Sequence, residues 1–253
     1  VNFLAARGAA LVLRLSDRKL LHVEVADLAA RWLVAPASTL KPFSLLALLE
    51  AGKLNPSDAF ACSRRLSLAS HQLNCVHPPV SLPMNPARAI AYSCNGAVAH
   101  FAERFAADEL PQALVRYGLT SVTGLLPGEA TGRVKRNTVG TVCQLQALGE
   151  EGILVTPVGM LLAYARLAKR LDRKYITILE GLEGAVEFGT AQAAQMGGVK
   201  VAGKTGSIAG TAWFSGFAPS RSPKLAVTVL VQGRSGGFDA APIAAALFRK
   251  YLS

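Results

Sequence analysis

Ser38 and Lys41 stand three residues apart in Pro36-Ala37-Ser38-Thr39-Leu40-Lys41-Pro42. On a helix that spacing puts both side chains on one face. Proline is tolerated inside a helix only in the first turn. Pro42 therefore predicts a helix that begins near Ser38, with the serine hydroxyl at the positive end of the helix dipole. Serine is a weak nucleophile and needs a base. Lys41 serves only as the neutral amine, which burial or a second cation promotes. Ser93 and Asn95 flank Cys94 where an alanine-rich helical pattern breaks. A hydroxyl and a carboxamide so placed suit proton relay and binding of a substrate amide. Lys204-Thr205-Gly206-Ser207 offers a cation and a hydroxyl to a carboxylate, and Gly206 lets backbone approach a ligand closely. The backbone N–H groups of Ser38 and Ser207 are candidates for an oxyanion hole. Each motif alone is commonplace, and it is the three in this order that carry information.

The elements that must position these residues are legible in outline. Gly8 to Ala26 reads as two strands around the polar turn Ser16 to Lys19. An apolar helix covers Leu45 to Leu49 and ends near Gly52. Asn85 to Ala107 is helical with an interruption at Ser93 to Gly96. Leu110 to Tyr117 and Pro157 to Leu171 are further helices, the latter with Val158, Leu161, Leu162, Ala165 and Ala168 at helical spacing. Val199 to Ala202, Thr211 to Ala218 and Leu225 to Gln232 are β-prone, and a last helix runs from Ala240 to Tyr251. Strands at both ends with helices between predict an α+β fold. It comprises one antiparallel sheet built from both termini, flanked by helices, with an inserted helical subdomain. The expected division of the single domain 1–253 is a sheet part over 1–37 and 180–253 and a helical part over 38–179.

The 253 residues are 51% hydrophobic, so a sizeable core is expected and disorder is not. No apolar run is long enough for a membrane helix. The chain opens at Val1 and reads as a trimmed or mature fragment whose anchor or other domains lie elsewhere. Net charge is +11, but the basic residues are scattered and carry no nucleic-acid motif, so nucleic acid is not an expected partner. Of the four cysteines, Cys62 and Cys75 flank a polar segment that a disulfide could close. Cys94 and Cys143 lie in apolar surroundings and read as small buried hydrophobes. No C-x-x-C pair occurs, and His22, His71, His77 and His100 are dispersed, so neither metal nor cofactor is expected.

The order S-x-x-K, S-x-N, K-T-G resembles the penicillin-binding protein and serine β-lactamase superfamily. The flanks Pro36 to Phe43 and Leu48 to Gly52 look like the nucleophile region of class B penicillin-binding proteins. So do Tyr92-Ser93-Cys94-Asn95, the stretch Gly149 to Ala163, Gly189-Thr190-Ala191, and Ala202 to Ser207 followed by Ala212 to Pro219. The resemblance covers essentially the whole chain and implies the β-lactamase/transpeptidase-like fold with the site between its two parts. It implies that Ser38 is the nucleophile and Lys41 its base, with Ser93 and Asn95 facing Lys204 and Thr205. The implied activity is D,D-transpeptidation of peptidoglycan stem peptides ending in D-Ala-D-Ala, with acylation by β-lactams, on the outer side of a bacterial cytoplasmic membrane. A D,D-carboxypeptidase, a slow β-lactamase or a β-lactam sensor would use the same machinery. Cys94 stands where class A β-lactamases carry Asp, and Glu150 and Glu151 are not in their E-x-x-L-N setting. Relatives often carry a cysteine pair in the region of Cys62 and Cys75, which favours a disulfide there.

Overall fold

In a computed structural model, residues 8–136, 138–171 and 175–252 are described. In chain order the elements are β1 (Gly8–Arg14), β2 (Leu20–Glu24), α1 (Ala26–Arg31), a 3-10 turn (Ala37–Leu40) and α2 (Lys41–Glu50). A two-residue hairpin follows, β3 (Ser67–Leu68) and β4 (His71–Gln72), then α3 (Pro86–Ala91), α4 (Asn95–Ala102) and α5 (Glu109–Arg116). Next come β5 (Arg133–Val134), α6 (Gly140–Leu148), β6 (Ile153–Leu154), α7 (Pro157–Arg170) and α8 (Ile176–Glu187). The chain ends with β7 (Ala202–Ile208), β8 (Thr211–Ala218), β9 (Leu225–Gln232) and α9 (Ala241–Leu252).

The main sheet has the order β2-β1-β9-β8-β7, and every neighbouring pair is antiparallel. β1 enters between β2 and β9, so strands from the two ends of the chain lie side by side. Its run Ala9 to Leu13 is buried throughout because both faces of the sheet are covered. On one face Ala10, Val12, Phe214, Val227 and Val229 pack against α9, whose Ala241, Ala244, Leu247 and Phe248 face inward. Phe248 meets Phe214 edge to face at 6.4 Å. On the other face Ala9, Leu11, Leu13 and Ala226 pack against Val158, Leu161, Leu162 and Ala165 of α7. Thr156 caps α7 by accepting from the Gly159 N–H at 3.1 Å, and Pro157 opens its first turn.

The helices α3, α4, α5, α6 and α8 surround α2, whose residues Lys41 to Leu48 are all buried. The helix starts later than Ser38, and Pro42 explains why. An α-helical bond to the Ser38 carbonyl needs the N–H of residue 42, which proline lacks. The Ser38 carbonyl accepts from Lys41 N–H instead, giving a 3-10 turn that becomes α-helix at Lys41. A second difference concerns the K-T-G segment. The expected strand Val199 to Ala202 forms only from Ala202, and it runs on through Lys204, Thr205 and Gly206 to Ile208. Pairing with β8 selects this register, with Lys204 opposite Ser215 and Gly206 opposite Trp213. The helices α1, α6 and α8 are absent from the sequence reading.

Candidate active site

Three separate parts of the chain hold the Ser38 turn, and one bond closes it from within. The Ala37 N–H donates to the Gly149 carbonyl at 2.9 Å, and Trp213 Nε1 donates to the Ala35 carbonyl at 3.1 Å. Tyr164 Oη donates to the Thr39 carbonyl at 2.8 Å, and the Thr39 hydroxyl caps the Pro36 carbonyl. Ala37 sits at φ 49°, a left-handed conformation that costs a non-glycine residue energy. The surrounding bonds outweigh that cost and hold the turn, in which Ser38 is half-buried.

Lys41 is fully buried one turn on. Its Nζ donates to the Ser93 carbonyl at 2.8 Å, to Ser93 Oγ at 3.2 Å and to Asn95 Oδ1. Burial lowers the Lys41 amine from its ordinary value to about 8, while Cys94, Cys75 and Glu150 pull it back up. A buried lysine with this pKa supplies a useful neutral fraction near neutral pH. Among the described residues the Lys41 amine hydrogen-bonds to the second motif, and the Ser38 hydroxyl makes no hydrogen bond.

Ser93 lies at φ 54° in the break between α3 and α4. That turn directs its carbonyl, its hydroxyl and the Asn95 carboxamide at one amine. Asn95 Nδ2 in turn donates to the Leu73 carbonyl at 2.9 Å, which orients the amide with its oxygen toward Lys41. Leu73 is a positioning partner that carries no side-chain chemistry and so leaves no signal in a motif search.

The third motif faces these groups from β7, the edge strand of the sheet. Lys204 is fully buried, and its Nζ donates to the Thr205 carbonyl at 3.0 Å and contacts Thr190 Oγ1 at 3.5 Å. Thr205 Oγ1 donates to Thr190 Oγ1 at 2.8 Å. Burial, and then the nearby Lys41 cation, push the Lys204 amine well below its ordinary value. Thr190 belongs to a site that sequence reasoning left without a role. Its loop leans on the end of α3, where the Thr190 N–H donates to the Ala91 carbonyl at 3.3 Å. A Cβ on Gly206 would stand 2.9 Å from the Pro36 carbonyl oxygen and 3.2 Å from Ala37 Cβ. Glycine at that position therefore lets β7 lie against the Ser38 turn. Ser207 is exposed, and its Oγ accepts from the Gly236 N–H at 2.9 Å.

Cys62, Cys75, His77 and Cys94 converge beside the second motif, with one donor atom from each lying within 4.8 Å of all the others. The expectation of dispersed ligands is corrected here. The linear spacing C-x12-C-x-H, followed by Cys94, held the signal, but only folding brings α4 to the β3–β4 segment. All four cysteines are free thiols, so the Cys62–Cys75 disulfide is not formed. Three sulfurs surround one point, and none of them is paired off. Hydrogen bonding from Cys94 holds the Cys75 thiol well below its usual range, and the same contact pushes Cys94 up. Cys143 is buried among apolar neighbours, as expected.

The antiparallel sheet with its inserted helices is the β-lactamase/transpeptidase-like fold. It superimposes on Pseudomonas aeruginosa PBP2 solved in complex with WCK 5153, with a TM-score of 0.84 and 21% identity, covering 100% of this chain and 75% of that one. PBP2 from Helicobacter pylori, solved in complex with MreC, matches with a TM-score of 0.83 and 19% identity, covering 98% and 61%. The chain belongs to the penicillin-binding protein transpeptidase domain family, whose model matches residues 17–252. It is 26% identical to stage V sporulation protein D of Bacillus subtilis over 269 aligned positions, covering 86% of this chain and 42% of that protein. It is also 26% identical to peptidoglycan D,D-transpeptidase PbpA of Mycolicibacterium smegmatis over 268 positions, covering 82% and 53%. The chain thus spans about half the length of the curated relatives it matches.

Proposed function

We propose that this chain is the catalytic domain of a peptidoglycan D,D-transpeptidase, acylated at Ser38 by stem peptides ending in D-Ala-D-Ala and by β-lactams. The observation that carries this reading is the convergence of Lys41, Ser93 and Asn95 beside the braced Ser38 turn. Ser38 Oγ attacks the scissile carbonyl carbon while its proton passes to the neutral Lys41 amine. The developing oxyanion is stabilised by the Ser38 and Ser207 N–H groups. As the C–N bond breaks, the leaving nitrogen takes a proton from Lys41 through the Ser93 hydroxyl. Asn95 binds the amide next to the scissile bond, and Lys204 with Thr205 binds the terminal carboxylate. The peptide is placed along β7, the edge strand of the sheet, at Gly206.

An amine of a second stem peptide then attacks the ester and releases Ser38. Stem peptides and β-lactams are thus the partners proposed, and nucleic acid is not. The whole of 1–253 acts as one domain with its site between sheet and helices, and it works outside the cytoplasmic membrane, where its substrate lies. Among the described residues no helix is long and apolar enough to cross a membrane.

Intact-mass measurement after incubation with a fluorescent penicillin tests the reading. The expected result is one adduct per chain, mapped to the Ser38 peptide and persisting for minutes. A chromogenic cephalosporin should give a stoichiometric burst followed by slow turnover. Continuous turnover at roughly 1–10³ per second would assign a β-lactamase instead, and an adduct on any other residue would remove the proposal.

Lys204→Ala is expected to weaken capture of the β-lactam more than the chemistry that follows. A charge-assisted contact is worth roughly 1.5–3 kcal/mol, so the half-saturating concentration for acylation should rise about tenfold to a hundredfold. An unchanged concentration dependence would leave Lys204 without a role in binding.

A further inference from the structure

We propose that Cys62, Cys75, His77 and Cys94 form a tetrahedral zinc site that braces the Ser93-Cys94-Asn95 turn. The sulfur positions fit the ion. With Zn–S near 2.3 Å, the edge of a tetrahedron is about 3.8 Å. The Sγ atoms of Cys62 and Cys75 are 3.7 Å apart, those of Cys75 and Cys94 3.7 Å, and those of Cys94 and Cys62 3.3 Å.

His77 completes the set through an atom that otherwise has no partner. Its Nδ1 lies 2.8 Å from the Pro78 carbonyl, which only accepts, so Nδ1 carries the proton. Nε2 is then a bare lone pair, and it is buried without a hydrogen bond. An orphaned acceptor in a buried place is costly. A bound cation removes that cost, and a carbonyl-oriented imidazole is a common ligand arrangement.

The backbone is arranged for thiolates as well. Each sulfur accepts one N–H: Cys62 from Arg64 at 3.3 Å, Cys75 from Gly96 at 3.4 Å, and Cys94 from Ala97 at 3.4 Å. Cys94 is also the N-cap of α4, at the positive end of that helix. Three thiolates and one imidazole in a tetrahedral set favour zinc over hard oxygen-seeking cations. Four protein ligands leave no open position, which makes the site structural and not hydrolytic.

The ion would act on catalysis through position. Cys75 lies two residues after Leu73, whose carbonyl orients Asn95. Cys94 lies between Ser93 and Asn95, which hold the Lys41 amine. The segment from Cys62 to His77 has only a two-residue hairpin of its own. A metal tying Cys62, Cys75 and His77 to Cys94 fixes that segment on the second motif.

Plasma mass spectrometry of the full chain, purified under reducing conditions without added chelator, is expected to find one zinc per chain. Stripped protein titrated with Co²⁺ should develop thiolate charge-transfer absorption and the strong visible bands of a tetrahedral ion. His77→Ala and Cys62→Ser should each weaken zinc binding at least tenfold. If a variant fails to fold, the cobalt titration of the parent chain still decides the matter. Removing zinc should slow β-lactam acylation at saturation at least tenfold, with recovery on adding zinc back. A chain with no zinc and no cobalt spectrum overturns the site, as does a disulfide between any two of the three cysteines in fully active protein. Zinc bound with acylation unchanged on its removal overturns the bracing. The metal count and the spectrum do not depend on acylation, so they stand apart from the proposed transpeptidase activity.

Discussion

Lys41→Arg is expected to slow acylation of Ser38 about 10²–10⁴-fold, the usual worth of a positioned general base, and nearly as much as Lys41→Ala. Arginine keeps the positive charge but does not deprotonate in this pH range. If Lys41 served only as a charge, the Arg variant would retain most of its rate. The buried amine should also show itself in the pH profile. Burial lowers it to about 8, while Cys94, Cys75 and Glu150 oppose that shift. Lys204 faces the same space from β7. The reactive form is the neutral amine, so the acylation rate should climb with pH while Lys41 is mostly protonated and level off above about 8. Stopped-flow acylation from pH 6 to 10 measures this. A profile flat from pH 6 upward, or an Arg variant within a few-fold of the parent, would exclude the base role.

Gly149→Ala should damage both stability and chemistry. Gly149 ends α6 at φ +78°, and a Cβ there would lie 2.1 Å from the Ala37 carbonyl oxygen. That oxygen belongs to backbone, so the clash separates α6 from the Ser38 turn. The left-handed conformation alone costs a side chain about 1–2 kcal/mol. With the displaced turn, a total near 3 kcal/mol corresponds to a fall in Tm of about 6–12 °C. Acylation should slow about 10²-fold, because a shift near 1 Å in a reacting group costs that much. Gly52→Ala is the control. Its φ is +67° with nothing within 4 Å of the added carbon, so it carries the conformational cost without the collision. Equal effects from the two substitutions would show that contact with Ala37 is unimportant.

The apolar periodicity of α7 and the strands β1, β8 and β9 were legible because burial on both sheet faces demands continuous hydrophobic runs. The three motifs were legible because their chemistry needs particular side chains in a fixed order. The helix α8 was missed, although its Ile178, Leu179 and Leu182 are buried, because Gly181 and Gly184 weaken its helical signal. Those glycines are there for close packing: a Cβ on Gly181 would meet Ile90 at 2.8 Å, and one on Gly184 would meet Ala91 at 3.1 Å. The β-prone run was read only to Ala202, because the pairing of Lys204 with Ser215 that carries the strand on to Ile208 leaves no mark in local sequence. Leu73, Thr190 and the Cys62–Cys94 proximity are products of tertiary folding. Each joins segments whose neighbours in sequence give no hint of one another.

The pairing of β1 with β9 sets an order on the birth of the molecule. Gly8 meets Val231 and Arg14 meets Leu225, so β1 must wait for a strand made more than 200 residues later. Contacts this distant in sequence are slow to form, since a long loop must close before they reward the chain. While the chain is being made, β1 and β2 would form a hairpin with one edge open, a template for the wrong partner. The helices around α2 have their sequence complete well before that edge is covered. Loss of even the last thirty residues would remove β9 and α9 together and leave β1 with no neighbour on that side. Until β9 is made, that side of β1 has no partner from the sheet and stays open to a wrong one.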